Sequence, residues 1–268
     1  MRRRLAAWAL CLAAPAALQA QEEVPFVVTP DNVTLAMLQL AQVGPQDFVL
    51  DLGSGDGRIV ILAARRFGAR GLGVEIVPDL VERSRRNAAQ AGVAERARFA
   101  EQDLFKTDLS QASVITMYLL QEVNLQLRPA LLALQPGTRI VSHDWDMGDW
   151  RPDRSLTVDA PDKPVGREKL SRLHLWVVPA RLEGRWCGTG AQAGWRLSLS
   201  QRYQVVEGTL AAGAEAQLVA GRIDGPVLRT VGGFEARLDG PRLRVQQAGP
   251  LPAGAAGAAG AAFERCAG

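Results

Sequence analysis

Short apolar runs and helix-like segments alternate over the first two thirds of the chain. Residues 48–52 form an apolar run that contains one acid and ends in a glycine-rich turn, and residues 58–67 carry apolar side chains on one side of a predicted helix. Further strands are predicted over residues 72–75, 97–100, 113–118 and 138–142, and further helices over residues 79–91 and 121–134. Buried strands that alternate with helices predict a doubly wound α/β domain with a parallel sheet.

The last part of the predicted sheet and the rest of the chain read differently. Residues 155–158 and 173–178 predict an antiparallel strand pair that closes the sheet. Beyond residue 180, glycine-containing turns separate short strand-like segments, which predicts a small antiparallel β domain over residues 181–268, as a meander, a sandwich or a barrel. These segments cover residues 195–199, 203–206, 216–219, 234–238 and 243–245, and an Ala/Gly-rich connection follows over residues 250–262.

The first twenty residues have the pattern of a targeting segment. Three arginines at positions 2–4 precede an apolar run that extends to Leu18, and Ala20 supplies a small residue for cleavage. The apolar run is shorter than the about 20 residues that a membrane-spanning helix needs. We therefore expect a signal peptide over residues 1–20, and a body that is exported, either periplasmic or membrane-tethered, and begins with a domain over residues 21–180.

The charge balance gives little support to a nucleic-acid partner. The chain has 31 Lys and Arg residues against 28 Asp and Glu residues, but three of the basic residues lie at positions 2–4. Removal of the predicted signal peptide leaves 31 − 3 = 28 basic residues and 28 acidic ones. A neutral chain lacks the excess of positive charge that binding to a phosphate backbone requires, so no nucleic-acid partner is expected.

The cysteines bear on the predicted export. Cys11 lies in the predicted signal peptide, whereas Cys187 and Cys266 lie near the two ends of the β domain. In an exported chain these two residues can form a disulfide, and the alternative is a pair of unrelated small buried residues. The sequence contains no CxxC or Cys/His spacing of the kind that binds metal, so we expect no metal site.

The turn after the first strand carries the strongest chemical signal. It reads Asp51-Leu-Gly-Ser-Gly-Asp-Gly57, and glycines at this place let a ligand approach the backbone closely. Glu75 ends the second strand, where a carboxylate can accept the hydroxyls of a ribose, and Asp103 follows the third, where it can accept an adenine amine. Acids at three successive strand ends predict an adenosine ligand that carries a cationic group and no pyrophosphate.

These motifs resemble those of the class I, seven-stranded, Rossmann-like S-adenosylmethionine-dependent methyltransferases over about residues 24–179. Residues 25–30, 51–60 and 139–142 are also similar to the mitochondrial and bacterial lysine methyltransferases that modify membrane carriers and the ring of ATP synthase. The resemblance implies a seven-stranded sheet and S-adenosyl-L-methionine as cofactor. The residues that it implies at the cofactor are Thr29, Pro30, Asp51, Gly53, Ser54, Gly55, Glu75 and Asp103.

The ends of the fourth and fifth strands bear on the methyl acceptor. Residues 116–119 read Thr-Met-Tyr-Leu rather than Asn/Asp-Pro-Pro-Tyr, which argues against methylation of an adenine or glutamine amino group. No cysteine lies at either strand end, which argues against methylation of cytosine C5. Tyr118 and Asp144 are the candidate catalytic residues, because either can assist the loss of a proton from an amine. The segment from His143 to Trp150 has two interpretations: a proton-abstracting or metal-binding group, or a polar loop with a tryptophan lid.

The sequence therefore predicts a methyltransferase whose acceptor is unknown, with a protein lysine, including one of a membrane-associated protein, as the leading candidate. Two alternatives remain at this point. One is an exported protein that binds adenosyl ligands without turnover, and the other is an aminopropyl transferase, which shares the fold and a similar glycine-rich turn. The pattern does not indicate an oligomeric state.

Overall fold

The computed structural model of the protein describes residues 26–247 and 260–267. The predicted signal peptide, Cys11 and most of the Ala/Gly-rich stretch lie outside these residues. The helices are α1 (Asp31–Leu40), α2 (Arg58–Phe67), α3 (Pro78–Gln90) and α4 (Gln121–Leu131). The strands of the first region are β1 (Phe48–Leu52), β2 (Arg70–Glu75), β3 (Ala97–Glu101), β4 (Val114–Met117), β5 (Arg139–His143), β6 (Arg154–Asp159) and β7 (Leu170–Val177).

The first region is a seven-stranded sheet with the strand order β3-β2-β1-β4-β5-β7-β6. The first five strands run parallel to one another, and β7 pairs antiparallel with both β5 and β6. The predicted fold class, a doubly wound Rossmann-like sheet closed by an antiparallel pair, is confirmed. Because the chain reverses its strand order between β1 and β4, the carboxyl ends of these strands border the crevice where such sheets bind ligands.

Apolar side chains cover both faces of this sheet. On one face, Met37 of α1 and Ile59 of α2 pack with Val49 and Val141 of the sheet. On the other face, Leu127 and Leu131 of α4 pack with Leu50, Ile140 and the two buried tryptophans Trp150 and Trp176. Consecutive strand residues such as Val49 and Leu50 thus enter different cores, which explains why the strands read as unbroken apolar runs.

The second region is a closed antiparallel barrel. Its strands are β8 (Gly184–Gly188), β9 (Trp195–Arg202), β10 (Val205–Ala212), β11 (Glu215–Asp224), β12 (Val227–Thr230), β13 (Glu235–Asp239), β14 (Arg242–Gln247) and β15 (Ala262–Arg265). The strand order is β10-β11-β12-β13-β14-β15-β8-β9, and β9 pairs with β10 to complete the ring. The predicted small β domain is confirmed and is the barrel among the three predicted forms. Its interior is filled by apolar side chains, including those of Trp186, Leu197 and Phe263.

A disulfide joins Cys187 of β8 to Cys266, which follows β15. These two strands are neighbours, with Cys187 opposite Glu264. The disulfide therefore lies where the last strand of the barrel returns to the first, across a sequence separation of 79 residues. Of the two interpretations of these cysteines, the structure has the bridge.

The barrel packs against the segment that connects β5 to β6. Tyr203 stacks on Trp150 with ring centroids 6.0 Å apart, and Gln204 donates a hydrogen bond of 2.7 Å to the carbonyl of Arg151. Arg222 forms an ion pair of 2.8 Å with Asp153. The prediction that residues 203 and 204 belong to a strand is wrong, because they form the turn before β10 and make these contacts instead.

Two local predictions about helices also differ from the structure. The capping box that Asp79 and Glu82 suggest for α3 is absent: Val77 is the N-cap residue and no side chain caps it, because Pro78 needs no partner for a backbone N–H. Helix α1 was not predicted, although Pro30 immediately precedes it. Within residues 26–247 and 260–267, no helix combines the length and the apolar character needed to cross a bilayer.

Candidate cofactor and acceptor site

The glycine-rich turn exposes bare backbone at the carboxyl end of β1. Gly53 and Gly55 have φ angles of 75° and 54°, in the left-handed region that favours glycine. A Cβ atom on Gly55 would lie 2.1 Å from the Phe26 ring, and one on Gly53 would lie 3.0 Å from Leu119. Both the conformation and the close packing therefore require glycine, and the backbone of this turn is open to a ligand.

Glu75 ties the glycine-rich turn to the end of β2. Its Oε2 accepts a hydrogen bond of 3.0 Å from the N–H of Gly55, and its Oε1 accepts bonds from the N–H groups of Ile76 and Val77. A carboxylate offers about four acceptor positions, so three backbone donors leave room for one hydroxyl donor. The side chain is thus fixed in place and can still accept a ribose hydroxyl.

Asp103 follows β3, at the same edge of the sheet. Its Oδ1 accepts a hydrogen bond of 2.9 Å from the N–H of Phe105 and caps a short 3-10 helix, while Lys106 lies 3.4 Å from its other oxygen. The apolar side chains of Ile76 and Phe105 adjoin Glu75 and Asp103 and are largely exposed. Two apolar side chains beside two fixed carboxylates form a surface suited to a nucleoside, which has apolar faces and a polar edge.

Asp51 lies at the end of β1 and is 2% exposed. Its Oδ1 accepts a hydrogen bond of 2.7 Å from the hydroxyl of Thr116 on β4. Burial raises the pKa of Asp51 to about 7, against the opposite effect of the Thr116 hydrogen bond. A buried acid with this pKa becomes a carboxylate readily when a cation approaches it, as the cationic end of the predicted ligand would.

The remaining residues predicted at the cofactor lie around this turn. The carbonyl of Thr29 accepts a hydrogen bond of 2.8 Å from Arg58 of α2, and Pro30 is the N-cap residue of α1. Both therefore lie near the start of α2. The side chain of Ser54 lies against Gly73 of β2, and its buried hydroxyl has no partner among the described residues. Only the backbone of Ser54 belongs to the turn surface.

The two candidate catalytic residues contact each other. Tyr118 follows β4 and donates a hydrogen bond of 3.3 Å from its hydroxyl to Oδ2 of Asp144, which follows β5. Asp144 has a φ of 64°, and its backbone N–H and Oδ1 both bond to the backbone of Arg172 on β7. The strand pairing thus holds Asp144 in a left-handed conformation that aspartate tolerates better than most residues.

His143 lies beneath this pair. It is fully buried, stacks on Tyr118 with ring centroids 3.9 Å apart, and contacts the hydroxyls of Ser171 at 2.8 Å and Thr29 at 3.3 Å. Burial lowers the pKa of His143 to about 4, so the ring is neutral near pH 7. Of the two interpretations of the segment that begins with His143, proton abstraction or metal binding by this ring is disfavoured.

Lys163 completes the cluster and was not among the predicted site residues. Its Nζ lies 2.7 Å from Oδ2 of Asp144 and donates a second hydrogen bond of 2.7 Å to the carbonyl of Leu170. Burial opposes ionisation of Asp144, but the hydrogen bonds from Lys163 and from the Arg172 backbone outweigh it and lower the pKa of this acid. Burial and the charge of Asp144 raise the pKa of Tyr118 to about 12.

The part of the chain that the structure describes contains no cluster of potential ligands for a metal ion. The residues that it does contain fit S-adenosylmethionine. The buried acid Asp51 suits the cationic end, and the glycine-rich turn suits close approach of the backbone. Glu75 and Asp103, with their exposed apolar neighbours, suit the adenosine.

Comparison with known proteins gives the same assignment. The family model of the ANTKMT methyltransferase domain matches residues 51–154. A protein-lysine N-methyltransferase from Saccharolobus islandicus is 42% identical over 138 residues, which cover 51% of this chain and 86% of that protein. The chain belongs to the class I S-adenosylmethionine-dependent methyltransferases. The predictions of the family, the enzyme class and the cofactor are confirmed, over the alternatives of a non-catalytic binding protein and an aminopropyl transferase.

Two further relatives differ in what they are named for. A lysine N-methyltransferase of Mus musculus, named for the c-type subunit of ATP synthase, is 38% identical, and the match spans 40% of this methyltransferase and only 43% of the mouse protein. The crystal structure of an RNA methyltransferase from Salinibacter ruber, solved with S-adenosylhomocysteine, is 51% identical with a TM-score of 0.53. This second match covers 58% of this methyltransferase and 96% of the solved chain.

Proposed function

We propose that this methyltransferase transfers the methyl group of S-adenosylmethionine to a lysine side chain of a protein. One observation carries the proposal: Asp144 and Tyr118, at the ends of β5 and β4, already bind the ammonium group of a lysine, Lys163, at 2.7 Å from Asp144. A carboxylate that binds one lysine ammonium in this position is suited to bind that of an acceptor.

The charge states of the cluster assign a role to each residue. Asp144 is the carboxylate, with a lowered pKa, and orients an acceptor ammonium through a charge-assisted hydrogen bond. Tyr118, whose pKa is about 12, stays protonated and holds Asp144 as a donor. His143, neutral and stacked on Tyr118, supports that ring. The bound cofactor supplies an activated methyl group, so positioning and exclusion of water provide most of the catalysis.

The names of the relatives favour a protein acceptor and suggest its class. The Saccharolobus islandicus relative is named for protein lysine, and two mouse relatives are named for the c-type subunit of ATP synthase and for adenine nucleotide translocase. We extend this to a membrane-associated protein acceptor. RNA is the second candidate, because the Salinibacter ruber structure is 51% identical. The carboxylate of Asp144 at the acceptor position is unfavourable for a phosphate backbone.

A competition between acceptors tests the proposal. Purified protein is incubated with radiolabelled S-adenosylmethionine and either the detergent-solubilised c-type subunit of ATP synthase or total RNA. We expect label on lysine of the protein acceptor, loss of most transfer in Asp144→Asn, and unchanged transfer in Asp162→Asn, an exposed acid two positions after Ala160. Label that appears only in RNA contradicts the lysine proposal.

We also infer that the enzyme works outside the cytosol, periplasmic or tethered to a membrane. The pattern of residues 1–20 supports this, and so does the Cys187–Cys266 disulfide, because such bonds persist in oxidising compartments. Cell fractionation, with determination of the mature N-terminus and thiol labelling of both cysteines, tests the inference. A protein found in the cytosol with two free thiols contradicts it.

A further inference from the structure

The loop between β6 and β7 inserts one side chain into the acceptor cluster. Of residues 161–170, all of them described by the structure, only Lys163 is buried, with 9% of its surface exposed. Lysine is rarely buried, because its ammonium group loses hydration and its long side chain loses conformational freedom. A loop that is otherwise exposed thus buries the residue type for which burial is least favourable.

The backbone of this loop fixes where the lysine points. Ala160 donates a hydrogen bond of 2.7 Å to the carbonyl of Lys169, and the N–H of Lys163 donates one of 3.0 Å to the carbonyl of Ala160. The side chain of Lys169 reaches back to the carbonyl of Lys163 at 2.6 Å. The loop is closed at its base and held at its centre, so the amine of Lys163 is directed to the ends of β4 and β5.

The composition of the chain makes this lysine conspicuous. Only Lys106, Lys163 and Lys169 are lysines among the 31 basic residues, and the others are arginines. A structural ion pair with Asp144 is equally within the reach of arginine, which forms bidentate bonds to carboxylates. Lysine differs in having an amine that can lose its proton and become a nucleophile.

We propose that Lys163 is a methyl acceptor, and that this methyltransferase methylates its own β6–β7 loop at that residue. The inference rests on the proposed function, since it takes the cluster around Asp144 to be the position of the acceptor amine. The first methylation leaves two N–H bonds on the nitrogen, which is the number that the contacts to Asp144 and to the carbonyl of Leu170 use. Monomethyl-lysine is therefore the expected main product.

The step balances with the donor that the established activity supplies. The ammonium group of Lys163 gives a proton to the carboxylate of Asp144, which passes it to solvent. The nitrogen lone pair then forms a bond to the methyl carbon while the carbon–sulfur bond breaks. The electron pair of that bond stays on sulfur, so the sulfonium becomes a neutral thioether and the nitrogen becomes a methylated ammonium.

Mass spectrometry of the full-length protein tests the transfer. The protein is incubated with S-adenosylmethionine that carries a deuterated methyl group, and its peptides are mapped. We expect roughly tenfold more label on Lys163 than on Lys106 or Lys169, because the amine is held at the site. The rate per molecule should not depend on protein concentration. Lys163→Arg should abolish the label, and the matched control Lys169→Arg should keep it.

A measurement without the cofactor tests the geometry separately. Protein labelled with 13C at the lysine Cε has one signal for each of its three lysines. We expect Asp144→Asn to shift the signal that Lys163→Arg removes, and to leave the other two in place. If that signal does not move, Lys163 does not occupy the acceptor position and the proposal is overturned.

The outcomes separate this inference from the proposed function. An enzyme that methylates lysine of an added protein but leaves Lys163 unlabelled overturns the inference and leaves the proposed function intact. A folded enzyme that binds S-adenosylmethionine and labels neither lysine overturns both. A rate at Lys163 that rises with protein concentration shows transfer between molecules and also contradicts the intramolecular step.

Discussion

The seven-stranded sheet and the barrel keep their polar groups in different places. At the carboxyl edge of the sheet, Asp51, Glu75 and Asp144 lie on or just after three strands, fixed by backbone or side-chain hydrogen bonds. The barrel fills its interior with apolar side chains, among them Trp186 and Phe263. Parallel strands end together at one edge, so a single sheet edge can collect acids from distant parts of the chain. A filled closed barrel offers no such edge.

The same comparison suggests what the barrel does for the enzyme. Its turn residues Tyr203 and Gln204 contact Trp150 and Arg151, in the segment that follows Asp144. The barrel thus supports one border of the acceptor cluster without contributing a residue to it. We expect changes in the barrel to alter stability more than cofactor binding, and changes at the sheet edge to do the reverse.

The largest expected effect separates the two regions through the disulfide. Replacing both Cys187 and Cys266 by serine should lower the free energy of unfolding of the barrel by about 3–4 kcal/mol, because the bridge closes a long loop. The affinity for S-adenosylmethionine should change little. Denaturant unfolding and calorimetric titration of the same variant measure the two effects, and an equal loss of affinity would contradict the separation.

A second prediction concerns the glycine-rich turn. Gly55→Ala should weaken S-adenosylmethionine binding by roughly 100-fold, about 2.7 kcal/mol, because the new Cβ meets the Phe26 ring and the backbone conformation is strained. Gly92→Ala is the matched control, since its φ is 70° but no atom lies within 4 Å of the added Cβ. Similar losses in both variants, measured by calorimetry, would mean that backbone strain alone is responsible.

A third and smaller effect is the pH dependence of binding. The pKa of Asp51 is about 7 in the folded protein, above its ordinary value of 3.8, so its contribution to stability is present below pH 4 and lost as the pH rises through 7. Ionised Asp51 should favour a cationic ligand, so affinity should rise roughly tenfold from pH 6 to pH 8. Titrations across this range should show a flatter dependence in Asp51→Asn. An unchanged dependence would assign it to the ligand.

The sequence predicted the parts of the molecule whose signals are local. The bounds of β1 and α2 agree with the structure because an apolar run, a glycine-rich turn and a helical pattern follow one another directly. The residues at the cofactor edge follow from the same motif. Helix α1 and strand β15 were missed, since β15 begins within the Ala/Gly-rich stretch, whose composition gives no strand pattern.

Lys163 shows why part of the site was out of reach. It lies in a loop rich in proline and charged residues, with the pattern of a solvated turn, and only the pairing of β5 with β7 brings that loop to Asp144. The scarcity of lysine in a chain with 31 basic residues was the one signal in the sequence. Barrel closure likewise depends on the pairing of β15 with β8, which are far apart in the chain.

The central claim is that the carboxyl edge of the sheet binds S-adenosylmethionine through Glu75. Calorimetric titration of the protein with S-adenosylmethionine, alongside Glu75→Ala and Glu101→Ala, tests it most directly. Glu101 lies opposite Glu75 in the pairing of β2 with β3 but is exposed, which makes it the matched control. The account predicts a large loss of affinity in Glu75→Ala and none in Glu101→Ala. Equal affinity in all three proteins, or no binding by the folded unmodified protein, would contradict it.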